Sequence, residues 1–221
     1  MEIGVRLPVG SRRETERVNS QTPFDFLKVC DPILGTIVEQ VGPLEERTGQ
    51  GDHFAALCHI IIGQQLSVAS AQAIRNRFEA HFGEQPSPAK VRALPEEEVK
   101  PLGLSGAKAR YLRSLASHVE EGQLEITRLE AMSDDEIRTE IVAVNGLGPW
   151  SADMFLMFHL NREDVLPVGD LGIREAMRRL YQLDSRPGPA EMEKISQPWR
   201  PHRTLACRYL WASLDLAKEK K

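Results

Sequence analysis

The chain has 221 residues, 41% of them hydrophobic and 27% charged, enough for a sizeable core in one large domain or two small lobes sharing a cleft. Cys30, Cys58 and Cys207 are odd in number and far apart, which argues against a disulfide framework and a paired-cysteine metal site, and no apolar run reaches the ~20 residues of a membrane span. The net charge of −4 argues against an evenly basic surface, so only a local face would bind a polyanion.

Apolar positions recur at helical spacing without sustained alternation, which predicts an all-α fold. Residues 1–20 mix charges with Gly4, Pro8 and Gly10; they read as a loose arm without the apolar centre of a secretory leader, and residues 21–221 read as the folded domain. An intracellular, soluble protein is expected. A first helix pair is predicted at Phe24–Cys30 and Pro32–Val41. Phe54–Ile62 reads as a buried helix ended by Gly63, and Gln64-Gln65-Leu66 as a short connection to a helix capped by Ser67 and running to Phe82. Gly83–Pro88 reads as a turn, and Pro95 opens a short helix ending near Pro101. Leu102-Gly103-Leu104-Ser105-Gly106 is a tight hairpin, with Ser105 capping a helix over 107–121. Ser133 and Glu136 have capping-box spacing, and the helix they start is predicted to reach Val144. Asn145-Gly146-Leu147-Gly148 is a second hairpin, followed by a helix from Pro149 to Leu160, so that a helix-hairpin-helix unit covers about 134–160. Asp170 is placed to cap a helix to Leu183, and a last helix is expected over Pro201–Lys218.

Two segments suggest chemistry. In the second hairpin two glycines flank one apolar residue. Leu147 is able to tuck between helices while the amides of Gly146 and Gly148 face outward at a helix N-terminus, a grip on a phosphate that needs no lysine. The bland alternative is a plain glycine-capped turn. Further on, Leu166-Pro167-Val168-Gly169-Asp170 ends in an acid at a helix start. It is either a simple N-cap or a fixed carboxylate that stabilises positive charge on a sugar during glycosidic cleavage; the two roles are compatible.

Val144-Asn-Gly-Leu-Gly-Pro-Trp-Ser-Ala-Asp153 with Leu166–Asp170 resembles the helix-hairpin-helix, loop and aspartate signature of the DNA glycosylase superfamily. Ile61-Ile-Gly-Gln-Gln-Leu-Ser-Val-Ala69 resembles the lip of its DNA cleft, and the segment from Pro198 to Trp211 resembles the last helix of the 3-methyladenine DNA glycosylase II branch. The resemblance implies a two-lobed helical fold with a cleft between the lobes and hydrolytic removal of alkylated purines from double-stranded DNA by a monomer. Asp170 is then the catalytic carboxylate, and Trp150, Trp211 and Met154 line the base pocket, Met154 standing where a well-known bacterial relative has tyrosine. Gln65, Leu66 and Ser105 become wedges for base eversion, and Gly146, Gly148 and Lys108 phosphate contacts. Trp150 occupies the position of the lysine that bifunctional members use, which implies no strand cleavage. With only Cys207 near the C-terminus no iron–sulfur cluster is expected. No cofactor is expected to be required, although the resemblance implies a sodium or potassium ion on the carbonyls of Val142, Val144 and Leu147. The alternatives are another base specificity and a non-catalytic lesion-binding protein.

Overall fold

The computed structural model describes residues 22–45, 51–82 and 86–219, with side chains as far as residue 216. The arm expected over residues 1–20 lies outside the described residues. The fold is all-α and two-lobed, and no strand occurs among the described residues.

The described chain starts in one lobe at residue 22, crosses to the other and returns. The first lobe holds α1 (Pro23–Cys30) and α2 (Pro32–Val41), and later receives α10 (Leu171–Leu180), α11 (Pro189–Ser196) and α12 (Arg203–Glu219). In it α1 packs on α2, α2 on α12, and α12 on α10. The second lobe comprises α3 (His53–Gly63), α4 (Val68–Phe82), α5 (Pro88–Arg92), α6 (Glu96–Val99), α7 (Gly106–Glu120), α8 (Asp134–Ala143) and α9 (Pro149–Phe158), with a 3₁₀ segment at Ile126–Ala131. Here α3 packs on α4, α7 and α9, α5 on α7, and α8 on α9.

Local chemistry explains where these helices start. Asp31 caps α2 through the amides of Ile33 and Leu34, and its other oxygen accepts from Tyr181 Oη at 2.5 Å and Trp199 Nε1 at 2.9 Å. One acid thus fastens the start of the described chain to the C-terminal helices, and burial beside Asp31 pushes the Tyr181 phenol far up. The Ser133–Glu136 capping box forms on α8 with both reciprocal bonds. α9 is apolar around most of its circumference, so it is buried from Ser151 to Met157 and stands at the centre of the molecule.

Some boundaries differ from the sequence reading. α5 and α11 are additional helices of 5 and 8 residues, shorter than periodicity resolves. α9 stops at Phe158 rather than Leu160. α10 stops at Leu180 because Gln182 turns left-handed, at φ 53°, and the amide of Leu183 reaches back to the carbonyl of Arg178. α12 begins at Arg203, two residues late, because a turn holds the amide of His202 on the carbonyl of Trp199.

Two polar contacts brace α9. Asp153 is 5% exposed and accepts from Arg138 Nε of α8 at 3.0 Å. Burial pushes its carboxyl up, and the guanidinium pulls it back. Removing the cation leaves a buried acid alone, so Arg138→Ala should lower the unfolding free energy by about 3 kcal/mol in a urea titration; a loss near zero would contradict the role. At the other end of α9, His159 Nε2 lies 2.6 Å from His53 Nδ1 of α3. Burial and the neighbouring His53 hold the His159 imidazole below its ordinary 6.5, and burial does the same for His59. The unfolded chain takes up these protons first, so stability is complete above pH 6.5 and falls as the pH drops through that value. Melting curves of His159→Gln should show a flatter acid limb.

Candidate DNA-repair site

The hairpin between α8 and α9 has the shape its glycines dictate. Gly146 sits at φ 94°, and an added Cβ there would lie 2.1 Å from Cγ of Tyr111 on α7. Only a residue without a side chain lets that ring close over the turn. Leu147 is 4% exposed, anchored between the helices, and its amide donates to the carbonyl of Val144 at 3.0 Å. Gly148 caps α9 ahead of Pro149. Among the described residues the amides of Gly146 and Gly148 donate to no protein group, and a Cβ on Gly148 would meet nothing within 4 Å. A helix N-terminus and an open turn therefore share one face, where partial positive charge favours an anion.

Asp170 comes from the other lobe. Thr204 holds its loop by donating to the carbonyl of Arg162 at 2.6 Å and accepting from the amide of Val165 at 3.1 Å. Arg203, buried beneath, clasps Asp164 at 2.6 Å and Glu193 at 3.0 Å. The amide of Asp170 closes a turn onto the carbonyl of Pro167 at 2.9 Å. Its carboxylate caps α10: Oδ1 accepts from the amide of Ile173 at 2.7 Å and from Trp211 Nε1 at 3.1 Å. Oδ2 accepts from Trp150 Nε1 at 2.7 Å. A Cβ on Gly172 would come within 3.1 Å of Asp170 Oδ1 and of Trp211 Nε1, so the close approach of the second indole needs a glycine. Asp170 is half-buried and has no ion pair among the described residues. Neutral donors hold it, so no protein cation among the described residues offsets its charge.

Trp150, which holds this carboxylate, also lines a cavity of about 470 Å³ between α3, α4 and α9, although Asp170 itself is not in the lining. Trp150, Met154 and Phe158 line it from α9, Ile60 and Gly63 from α3, and Ala71 and Arg75 from α4, with His59 and His159 adding polar edges. Trp211 is not in the lining but packs on Phe158, ring centroids 5.6 Å apart. Of the three expected pocket residues, Trp150 and Met154 line this cavity and Trp211 does not, while both tryptophans donate to the acid, a contact that spacing in the chain does not reveal.

At the cavity lip the turn after α3 carries the expected wedges. Gln65 adopts φ 57° and is exposed, Leu66 is 39% exposed, and neighbouring Val68 is 87% exposed. Ser105 is also exposed, but its hydroxyl caps α7 by accepting from the amide of Lys108 at 3.2 Å.

Lys108 does not stand as expected. Its ammonium turns inward and donates to the carbonyls of Ile62 at 2.7 Å and Gln64 at 2.9 Å, closing the C-terminus of α3 instead of facing a phosphate. Arg110, exposed and without a partner among the described residues, is an outward cation on the same helix as Lys108, in the turn after Gly106. Arg178 and Arg179 are bound to Glu175 and Arg200 to Asp164, so most arginines near the site serve internal pairs. Sequence reasoning missed Gln64, whose side-chain amide donates to the carbonyl of Gly146 at 2.8 Å and to Ser151 Oγ at 3.2 Å. The Gln-Gln pair marks that turn as polar, but not which residue faces in.

Comparison with known proteins identifies the family of this fold. The model of the HhH-GPD superfamily of base excision DNA repair proteins matches residues 58–201. DNA-3-methyladenine glycosylase 1 of Schizosaccharomyces pombe is 34% identical over 167 residues, 74% of this chain and 73% of that protein. Bacillus subtilis YfjP is 33% identical over 162 residues, 70% of this chain, which spans only 56% of that protein. Among solved structures, S. pombe 3-methyladenine DNA glycosylase in complex with abasic DNA superimposes with a TM-score of 0.78 at 31% identity, covering 86% of this chain and 94% of that one. The chain belongs to the HhH-GPD superfamily, in the branch of the 3-methyladenine and alkylbase DNA glycosylases.

The two hairpin glycines should respond differently to alanine. Gly146→Ala, strained at positive φ and driven into Tyr111, should cost more than about 2 kcal/mol of stability. Gly148→Ala should stay within about 0.5 kcal/mol, because its Cβ enters open space. Equal losses in chemical denaturation would contradict the hairpin geometry.

Proposed function

We propose that this protein is a monofunctional DNA glycosylase that hydrolyses the N-glycosidic bond of alkylated purines such as 3-methyladenine in double-stranded DNA. The observation that carries the reading is the Asp170 carboxylate, bound by two indole N–H groups and a helix amide and without an ion pair among the described residues, one of whose donors, Trp150, also lines a cavity of about 470 Å³. The 3-methyladenine glycosylase and abasic-DNA names of similar proteins support it.

The lesion leaves the base stack and enters the cavity against Trp150 and Met154, with its deoxyribose toward Asp170; a flat cationic base suits the face of Trp150. The filled cavity keeps bulk water from the reacting bond. As the bond lengthens, positive charge grows on the sugar, and the ionised carboxylate stabilises it. The same oxygens orient the attacking water and accept its proton. Gln65 and Leu66 fill the vacated stack and Ser105 supports the opposite strand, while the amides of Gly146 and Gly148 and the guanidinium of Arg110 hold phosphates.

Tryptophan at position 150 supplies no amine for a Schiff base, and the nearby Lys108 is committed to two carbonyls, so water is the nucleophile. A sodium or potassium ion suits the end of α8: among the described residues the carbonyls of Val142 and Leu147 accept no hydrogen bond, and that of Val144 accepts only from Leu147. Bound there, the ion would add positive charge beside the phosphate. A role on DNA places the protein inside the cell.

Incubation with alkylated duplex DNA should release free modified base and leave the strand intact until alkali is added. Immediate nicking would refute the monofunctional reading, and no released base would refute the activity. Trp150→Phe, which keeps a ring but removes the donor to Oδ2, should lower the single-turnover rate about tenfold and change DNA affinity less than threefold, a loss of about 1.4 kcal/mol in the transition state alone.

A further inference from the structure

The turn at the cavity lip has one residue facing outward and one facing inward, and the inward one crosses to the phosphate hairpin. We infer that Gln64 is a positioning residue that locks the wedge turn and the hairpin into one unit, so that gripping the strand and evicting the nucleotide act together. The inference rests on the glycosylase reading above.

Gln64 is held on every side. Its backbone amide donates to the carbonyl of Ile61 at 3.3 Å, and its own carbonyl accepts from Lys108 Nζ at 2.9 Å. A glutamine side chain has two N–H donors, and here Nε2 contacts the carbonyl of Gly146 at 2.8 Å and Ser151 Oγ at 3.2 Å, across 82 and 87 positions of sequence. With Gln64 fixed, the chain leaves the turn through Gln65 at φ 57°, a left-handed conformation that costs a residue other than glycine about 1 kcal/mol and drives its side chain outward.

The hairpin gains from the same bond. The carbonyl of Gly146 and the amide of Leu147 belong to one peptide plane. Gln64 holds the carbonyl end, and the carbonyl of Val144 holds the amide end at 3.0 Å. A free plane is able to swing its carbonyl dipole toward a bound anion; a plane pinned at both ends is not. The contact therefore protects the anion face of the hairpin as it fixes the root of the wedge. Lys108 completes the brace from α7, which gives its inward turn a purpose.

The test separates eversion from chemistry. Eversion is read as 2-aminopurine fluorescence beside a tetrahydrofuran abasic analogue in duplex DNA. Chemistry is read as single-turnover base release from two duplexes, one with the alkylated base fully paired and one with it facing a one-nucleotide gap, where eversion costs little. Gln64→Glu has the same length but sets a carboxylate against the Gly146 carbonyl. It should cut the fluorescence change and the rate on the paired duplex at least tenfold, and stay within threefold of the unaltered protein on the gapped one. Lys108→Met should fall in the same direction and Lys108→Arg should recover, which keeps the test open if Gln64→Glu does not fold. Equal rate losses on both duplexes, or unchanged fluorescence, would overturn the proposal. The fluorescence arm needs no catalysis, so a protein that releases no base refutes the glycosylase reading while Gln64 is still tested.

Discussion

A single carboxylate held by neutral donors organises this molecule. Asp170 lies where the lobes meet: its loop and helix come from one lobe, and Trp150, which binds Oδ2, comes from the other. The alternative, a guanidinium or ammonium at 3 Å, would have held the acid as firmly but cancelled its charge. Indole N–H groups and a helix amide fix the oxygens and leave the charge intact, which is the condition for stabilising a cation that exists only during reaction. The surroundings hold that arrangement in place. Gly172 gives Trp211 room, Thr204 and Arg203 stiffen the loop, and the central α9 carries Trp150 into position.

The same economy explains how a chain with net charge −4 meets a polyanion. Arg138, Arg178, Arg200 and Arg203 are bound to carboxylates of the chain itself. What faces outward at the hairpin is a pair of backbone amides at a helix start, while the exposed Arg110 stands on α7, whose Tyr111 closes over that turn. Dipoles of this kind place a phosphate by geometry and carry little long-range field, so they favour register over general attraction.

The sequence made much of this legible. Caps and turns are local, so Ser133 with Glu136, Pro149 after Gly148, and Asp170 at the start of α10 could each be found from a few adjacent residues. The family signature added the order of the motifs. What escaped was non-local or short. α5 and α11 span too few turns to show a period, and Gln182 ends α10 without the glycine that marks such ends. Lys108 reads as a surface cation until α3 is seen to end within its reach, and Gln64 cannot be told from Gln65 until the hairpin is beside it. Tyr111 carries no local signal; only the Cβ-free face of Gly146 explains it.

The most direct measurement compares the unaltered protein with Asp170→Asn, using single-turnover base release together with affinity for abasic-site DNA. Asparagine keeps the size and an acceptor for the helix cap but loses the charge. At ~4 Å and an effective dielectric of about 20 that charge is worth on the order of 4 kcal/mol to a cationic sugar, so release should slow roughly a thousandfold while DNA affinity stays within a few-fold. Release at the original rate by a folded, DNA-binding Asp170→Asn would contradict the account at its centre.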